Sequence, residues 1–394
     1  MEISFILFYM FLLFLLFFIM DLNIKIYLIV MLANYYKSIN FYLENEKYQS
    51  SPFLEEKQYN IHIYSLCLIL KLWDKKHYRS PTLKHDLIKN LQNVIIPGTF
   101  IPLSFFCYHK WLYIFFLYVF YPVVCFFSFI IHRDTGFEEY LFCPDNWFTY
   151  WRINCILSFY NFFKTNNPQY TMEDKFFFLK EAEKIGLSVT PYFKKDFILK
   201  HRNKEGGLGI QYIKNAENNG SIIIQEKLNN SFILNNLLPK NCALSTFRVV
   251  TSSSLSGDID ILTILWRAAR ENTITDHNNI IFNVEKDGSF GLGVSNQNWY
   301  SRKIFYQKTF QKHPDSNKQI TGVNIGKKYI DEIKEICLTG HKKLLNKIPL
   351  VGWDVAITEN GIMVLECNLS CNFFCGEFNK KKYFDFVEEY FKNL

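Results

Sequence analysis

Three oxygen-bearing side chains lie close together near the end of the chain. Asp354 stands in the run Trp353-Asp354-Val355-Ala356-Ile357, and Glu366 and Asn368 stand in Met363-Val364-Leu365-Glu366-Cys367-Asn368. Segments 351–357 and 362–365 read as two strands joined through Glu359-Asn360-Gly361, and Asn-Gly is a hairpin signal. Side chains alternate along a strand, so Glu366 and Asn368 share a face and Cys367 points the other way. Antiparallel pairing brings Asp354 near Glu366. Two adjacent carboxylates repel, and a hard divalent cation, Mg2+ or Mn2+, removes that cost because it takes oxygen ligands. Asp354, Glu366 and Asn368 are therefore candidate metal ligands. The alternative is a surface hairpin with solvated acids.

A second candidate is Lys200, which ends the apolar run 197–200 and precedes Gly206-Gly207-Leu208-Gly209. A loop of this kind can aim backbone N–H groups at phosphate oxygens, with the lysine as a point charge. It matches neither G-x4-G-K-[ST] nor G-x-G-x-x-G, so a plain turn is the alternative. Arg248 lies in an expected strand, 244–252, and a buried arginine needs an anionic partner. A triphosphate, a substrate carboxylate or an ion pair within the protein would each supply one. Arg267 is a weaker candidate of the same kind, and His313 is read as a loop residue without a proton-transfer role. Cys367, Cys371 and Cys375 have no second, distant pair to complete a zinc site, and the ten cysteines read as reduced thiols.

These groups need elements to position them. The segment 170–186 is expected to be a helix with Thr171 as N-cap, Asp174 three residues on and Gly186 as its stop. Strands are expected at 197–200, 221–228, 244–252, 261–268 and 280–284, and an amphipathic helix at 327–346. At ~150 residues per domain, 394 residues make two or three units. Apolar residues at 49% and charged residues at 21% exclude global disorder. The net charge of +7 divides into +3 before residue 131 and +4 after it, so no basic tail suggests nucleic acid as a partner.

The first third of the chain reads differently. Residues 3–20 carry no charge over eighteen positions, which meets the lower limit for a membrane span. With no basic flank before it and no small-residue cleavage site after it, an uncleaved anchor is expected. Residues 111–131 are twenty-one residues without a charge, bracketed by Lys110 and His132-Arg133, with Trp111 suited to an interface. Pro122 is acceptable there if neighbours satisfy the carbonyl it frees. The shorter run 26–33 extends or folds back from the first span, and 94–107 is broken by Pro97, Gly98 and Pro102.

In order along the chain stand Asp174-Lys175, Lys200 before the glycines, a strand ending Gln225-Glu226-Lys227-Leu228, then Asp354 and Glu366-x-Asn368. This series resembles the ATP-grasp fold, an α+β architecture in which two subdomains clamp ATP. Ser245-Thr246-Phe247-Arg248-Val249-Val250-Thr251, Val351-Gly352-Trp353-Asp354-Val355-Ala356-Ile357-Thr358 and His313-Pro314-Asp315 look like its sugar-transfer-associated group, related to α-L-glutamate ligases. The resemblance covers roughly residues 145–377. It departs at Cys367, where a glycine is common, at His201, where a proline is common, and near 278–281, where a glycine pair is missing.

The resemblance implies that Lys175, Lys200, Gly206, Gly207 and Gly209 contact phosphates and that Gln225, Glu226 and Leu228 line the adenine hinge. Asp354, Glu366 and Asn368 would hold Mg2+ (or Mn2+), with Arg248 and Glu366 in catalytic roles. The implied reaction activates a carboxylate as an acylphosphate for attack by an amine or similar nucleophile, in surface glycan or sugar-polymer biosynthesis. A sugar or polyol kinase on the same fold and a non-catalytic nucleotide-binding membrane protein are the alternatives. The expected partners are ATP, carboxylate and amine or sugar-linked substrates and membrane lipids, without nucleic acid. The expected organisation is an anchor at 1–35, a linker at 36–110, a second transmembrane helix at 111–131 and an ATP-grasp domain at 132–394. Lys25 and Lys37 argue for 21–110 in the cytosol, whereas ATP use argues for the later domain there. The side of the membrane is left open.

Overall fold

The computed structural model describes residues 20–91, 101–132, 135–145, 147–200, 210–218, 220–273, 279–295, 309–374 and 376–394. The longer helices are α1 (Leu22–Glu44), α2 (Lys57–Leu72), α3 (Leu83–Leu91), α4 (Lys110–Phe115), α5 (Tyr121–His132), α6 (Phe137–Phe142), α7 (Trp147–Thr165), α8 (Lys175–Lys184), α9 (Lys327–Leu344) and α10 (Lys380–Asn393). The strands are β1 (Phe197–Lys200), β2 (Ile210–Ile213), β3 (Thr246–Ser253), β4 (Ile259–Ala268), β5 (Ile280–Val284), β6 (Phe290–Ser295), β7 (Thr309–Phe310), β8 (Leu350–Thr358) and β9 (Gly361–Asn368). Two compact units result. One holds residues up to Trp73 with Phe105–Asp145, the other Asp74–Ser104 with Asn146–Leu394. The stretch 36–110, expected as one linker, is thus shared between the two units.

The first unit is helical. Its apolar helix runs from Lys110 through a π-helical turn, Phe116–Phe120, into α5. Among the described residues, Lys110–Ile131 is the one helix long and apolar enough to cross a membrane. Its 22 residues would span ~33 Å at ~1.5 Å per residue, against a hydrocarbon core of ~30 Å. The expected first span, 3–20, lies outside the described residues apart from Met20, and the run 26–33 is part of α1. Pro122 brings no N–H to the carbonyls one turn earlier, and the Tyr121 N–H reaches back to Phe116 O. Two hydroxyls from α1 take over: Tyr35 Oη donates to Leu117 O and Tyr36 Oη to Tyr118 O, each at 2.8 Å. The requirement set by Pro122 is met by consecutive tyrosines.

The second unit is built on a seven-stranded antiparallel sheet in the order β7-β6-β5-β4-β3-β8-β9. One face packs Phe247, Val249, Trp266, Trp353, Val355 and Val364 against Phe178 and Leu179 of α8 and Ile330 and Ile333 of α9. Strand alternation puts Thr246, Arg248 and Asp354 on the opposite face. β1 and β2 form a separate hairpin, Phe197 opposite Ile213 and Lys200 opposite Ile210, so the expected glycine loop joins two paired strands. Strands 244–252, 261–268 and 280–284, the 351–365 hairpin and helix 327–346 are all present within a few residues of the expected bounds.

Two expected elements differ. The helix expected over 170–186 is a 3-10 segment, Pro168–Glu173, followed by α8. Thr171 Oγ1 donates back to Pro168 O at 2.8 Å, and the cap is Asp174, whose carboxylate accepts from Phe177 N at 2.8 Å. Gly186 ends the helix as expected, at φ +74°, with Leu187 N bonded to Ala182 O and Gly186 N to Glu183 O. The strand expected at 221–228 is absent. Gln225 forms only an isolated bridge to Tyr192 and Ile222 one to Asn215, because the exposed polar run at 225–227 offers no apolar face to a sheet.

A buried polar relay crosses the sheet–helix interface. His341 Nε2 lies 3.0 Å from Ile348 O, a pure acceptor, so Nε2 carries the proton and Nδ1 accepts from Thr251 Oγ1 at 2.7 Å. Thr251 Oγ1 in turn accepts from Trp353 Nε1 at 2.8 Å. Burial lowers the His341 pKa to about 4. The folded pKa is below the unfolded one, so the stabilising contribution of neutral His341 is full above ~6.5 and is lost as pH falls toward about 4. The stability difference between wild type and His341→Gln should therefore shrink on acidification through that window, by up to ~1.4 kcal/mol per pH unit. Urea denaturation of both proteins at several pH values checks this, and a difference that grows toward acid contradicts it.

Candidate active site

The candidate site is a row of side chains across three neighbouring strands. Arg248 on β3 is paired with Asp354 on β8, and Asp354 with Glu366 on β9. Asn368 lies two residues along on the same face, opposite Gly352. The expected meeting of Asp354 and Glu366 is what the register delivers, helped by a bulge after Asp354 that opposes Val355 to Val364.

Asp354 is buried between two guanidinium groups. Arg248 Nε lies 2.9 Å from Oδ1, although off the hydrogen-bond direction, and its Nη2 donates to Oδ2 at 3.3 Å. Arg267 Nη2 lies 3.1 Å from Oδ2, and its Nε donates to Thr246 Oγ1 at 2.8 Å. Burial alone would raise the Asp354 pKa, but Arg248 and then Arg267 outweigh it and hold the carboxyl below the usual range. Both guanidinium groups also sit against the Phe374 ring, at 5.1 and 5.5 Å from its centroid. The anionic partner expected for Arg248 is thus Asp354, and Arg267 has the same partner.

Glu366 is ion-paired with Lys175, the first residue of α8, and its Oε1 accepts from Asn368 Nδ2 at 3.4 Å. Burial works against the Lys175 ammonium, yet the Glu366 contact outweighs it and raises its pKa. The mutual repulsion expected of the two acids is therefore already relieved by cationic side chains. Formally Arg248, Arg267 and Lys175 outnumber Asp354 and Glu366 by one positive charge. The donor set of two carboxylates and an amide oxygen on one sheet face still fits a hard divalent cation.

Other expected residues lie apart from this row. Lys200 ends β1, and Gly206, Gly207 and Gly209 lie outside the described residues. Gln225 and Glu226 are exposed and Leu228 is buried, all on an irregular segment rather than the expected strand. His313 is a structural residue: its Nε2 meets Ala269 O at 3.0 Å, and Asp315 beside it holds Arg270 at 2.6 and 2.7 Å. Cys367 and Cys371 are buried thiols, and among the described residues no group of His, Cys, Asp and Glu is arranged as a metal cluster. Spacing gave no sign of Glu173, whose Oε2 accepts from Leu369 N at 2.8 Å, or of Arg79, 3.4 Å from Glu173 Oε1. Burial raises the Glu173 pKa against the opposing effect of Arg79.

Gly352 has a reason to be glycine. A Cβ there would stand 2.4 Å from Cys371 Cβ and 2.6 Å from Arg248 Nη1. The guanidinium reaches Asp354 through the space that the missing side chain leaves.

Residues 214–376 match the family model described as sugar-transfer associated ATP-grasp. No curated protein matches the chain in sequence. Among solved structures, N5-carboxyaminoimidazole ribonucleotide synthetase from Thermotoga maritima is 14% identical over 51% of this chain and 42% of its own, with a TM-score of 0.25. An ADP complex of N5-carboxyaminoimidazole ribonucleotide synthetase is 12% identical over 50% of this chain and 45% of its own, with a TM-score of 0.26. The chain spans less than half the length of either, and likenesses at this level carry no activity across.

Gly352→Ala should cost ~1–3 kcal/mol, the usual penalty of overpacking, and should weaken nucleotide binding by displacing Arg248. Urea denaturation and a nucleotide titration measure the two effects, and wild-type values in both would show that the space is not needed.

Proposed function

We propose that the chain is an ATP-dependent carboxylate-activating enzyme, ligase-like in its reaction. The observation that carries this reading is the pairing of Asp354 with Glu366, with Asn368 two positions on, inside the matched segment 214–376. Asp354, Glu366 and Asn368 would hold Mg2+ or Mn2+, which would supply charge neutralisation during phosphoryl transfer. Lys175 and Lys200 would bind phosphate oxygens, with backbone N–H groups of Gly206, Gly207 and Gly209 covering them. Gln225, Glu226 and Leu228 would border the adenine. Arg248 and Arg267, released from Asp354, would orient the γ-phosphate or the substrate carboxylate. The carboxylate attacks the γ-phosphorus and ADP leaves. An amine or similar nucleophile then attacks the acyl carbon and phosphate leaves.

The excess of positive side chains supports an order of events. Bare Mg2+ is not drawn to a formally cationic cluster, whereas a nucleotide polyanion is, so the cation would enter with the nucleotide. The helix Lys110–Ile131 supports membrane tethering of the catalytic part, 132–394, where a held acceptor is raised in effective concentration. The family model's sugar-transfer association supports a sugar-linked or glycan acceptor.

Glu366→Gln keeps the shape and removes one charge. Mg2+-dependent phosphate release, assayed with candidate acids and amines, should fall roughly 100-fold or more. Wild-type turnover in the variant would move the metal site elsewhere. Alkaline carbonate extraction of membranes should leave the full chain in the pellet, and its release into the supernatant would remove the tether from the proposal.

A further inference from the structure

The backbone that follows Asn368 is held by a polar clamp. Leu369 N donates to Glu173 Oε2 at 2.8 Å, Ser158 Oγ donates to Leu369 O, and Asn154 Nδ2 donates to Cys371 O at 2.8 Å. Ser158 and Asn154 project from α7, a regular helix. Asn154 is itself fixed by Tyr383 Oη at 2.6 Å. Glu173 projects from the short 3-10 segment and depends on Arg79, 3.4 Å away. Arg79 in turn donates from Nη2 to Asp86 Oδ2 at 2.8 Å, on α3. Asp86 also accepts from Asn90 Nδ2 at 2.8 Å, and Arg79 N donates to His77 Nδ1 at 3.1 Å. The Arg79 guanidinium lies over the Tyr78 ring at 5.6 Å, and Tyr78 packs on Tyr170 at 4.6 Å. Its fork therefore spans two carboxylates from different parts of the chain, which a lysine ammonium cannot do.

We propose that Arg79 is a positioning residue for the metal-binding strand, holding Glu173 on the Leu369 amide so that Asn368 and Glu366 keep their place beside Asp354. This rests on the ATP-grasp reading of those three residues, and it makes the stretch around Arg79 and Asp86 a working part of the site, although it precedes the apolar helix that starts at Lys110. Without Arg79, Glu173 would be a largely buried carboxylate that has lost its ion-pair partner, drawn away from the amide toward solvent or Lys175. The strand end would lose one of its three backbone holds.

The test uses the full chain with a non-hydrolysable ATP analogue in fixed excess, titrated with Mg2+, alongside thermal melts in EDTA. Changing a partner outside the ligand shell typically costs ~10–100-fold in metal affinity. Arg79→Met should raise the Mg2+ half-point for nucleotide binding by about tenfold. Arg79→Met/Glu173→Gln should bring it most of the way back, because a neutral amide oxygen accepts from Leu369 N without a cation. A purely structural role would lower the melting temperature in EDTA and leave the half-point alone. Arg79→Lys, which keeps the charge and is the milder change for folding, should also raise the half-point, since its single ammonium stays with Asp86. Wild-type half-points in these variants, or no recovery in the double variant, overturn the proposal while leaving the ATP-grasp reading intact. Failure of wild type to bind the nucleotide with Mg2+ overturns both.

Discussion

Asp354 is a carboxylate buried in the middle of a sheet, and a buried charge of that kind persists only with partners. Arg248 and Arg267 supply them from two adjacent strands, Phe374 covers both guanidinium groups, and Gly352 leaves the space through which Arg248 arrives. Breaking one member strands the others. The register of β3, β4 and β8 is therefore coupled to the charge balance of this face of the sheet.

The two faces of the sheet divide the work. The apolar face, with Trp266, Trp353 and Val364 against α8 and α9, supplies the burial that holds the strands in register. The His341–Thr251–Trp353 relay satisfies the polar groups this burial traps. The opposite face is left to charge. Lys175 belongs to both, because the Asp174 cap fixes the start of α8, whose Phe178 is core, while Lys175 itself reaches Glu366. A change in helix packing is thereby felt at the acid row.

In the other unit, Pro122 creates a local shortage of backbone donors and the Tyr35–Tyr36 pair relieves it. Leu117 and Tyr35 are buried inside this unit, so the Leu117 carbonyl needs a protein donor. The pairing of a proline with two aligned hydroxyls is consistent with the apolar composition of Lys110–Ile131.

The hairpin around Asn360-Gly361, the strands carrying Arg248 and Arg267, the stop at Gly186 and the opposition of Asp354 to Glu366 were legible from residue order. Each depends on short-range geometry: alternation along a strand, a two-residue turn, a glycine in the left-handed region. The apolar run at 111–131 was legible for the same reason, since length and composition are local quantities. The segment 221–228 was misread because its exposed polar run at 225–227 offers no apolar face to a sheet, so it pairs only through isolated bridges. The start of α8 was misread because Thr171 can bond backward as easily as forward. What only the tertiary structure decided is which charges meet. Arg79 and Glu173 are 94 residues apart and Arg248 and Asp354 106 apart, and no periodicity links such positions. Chain closure and packing bring them together, and burial then makes their pairing obligatory.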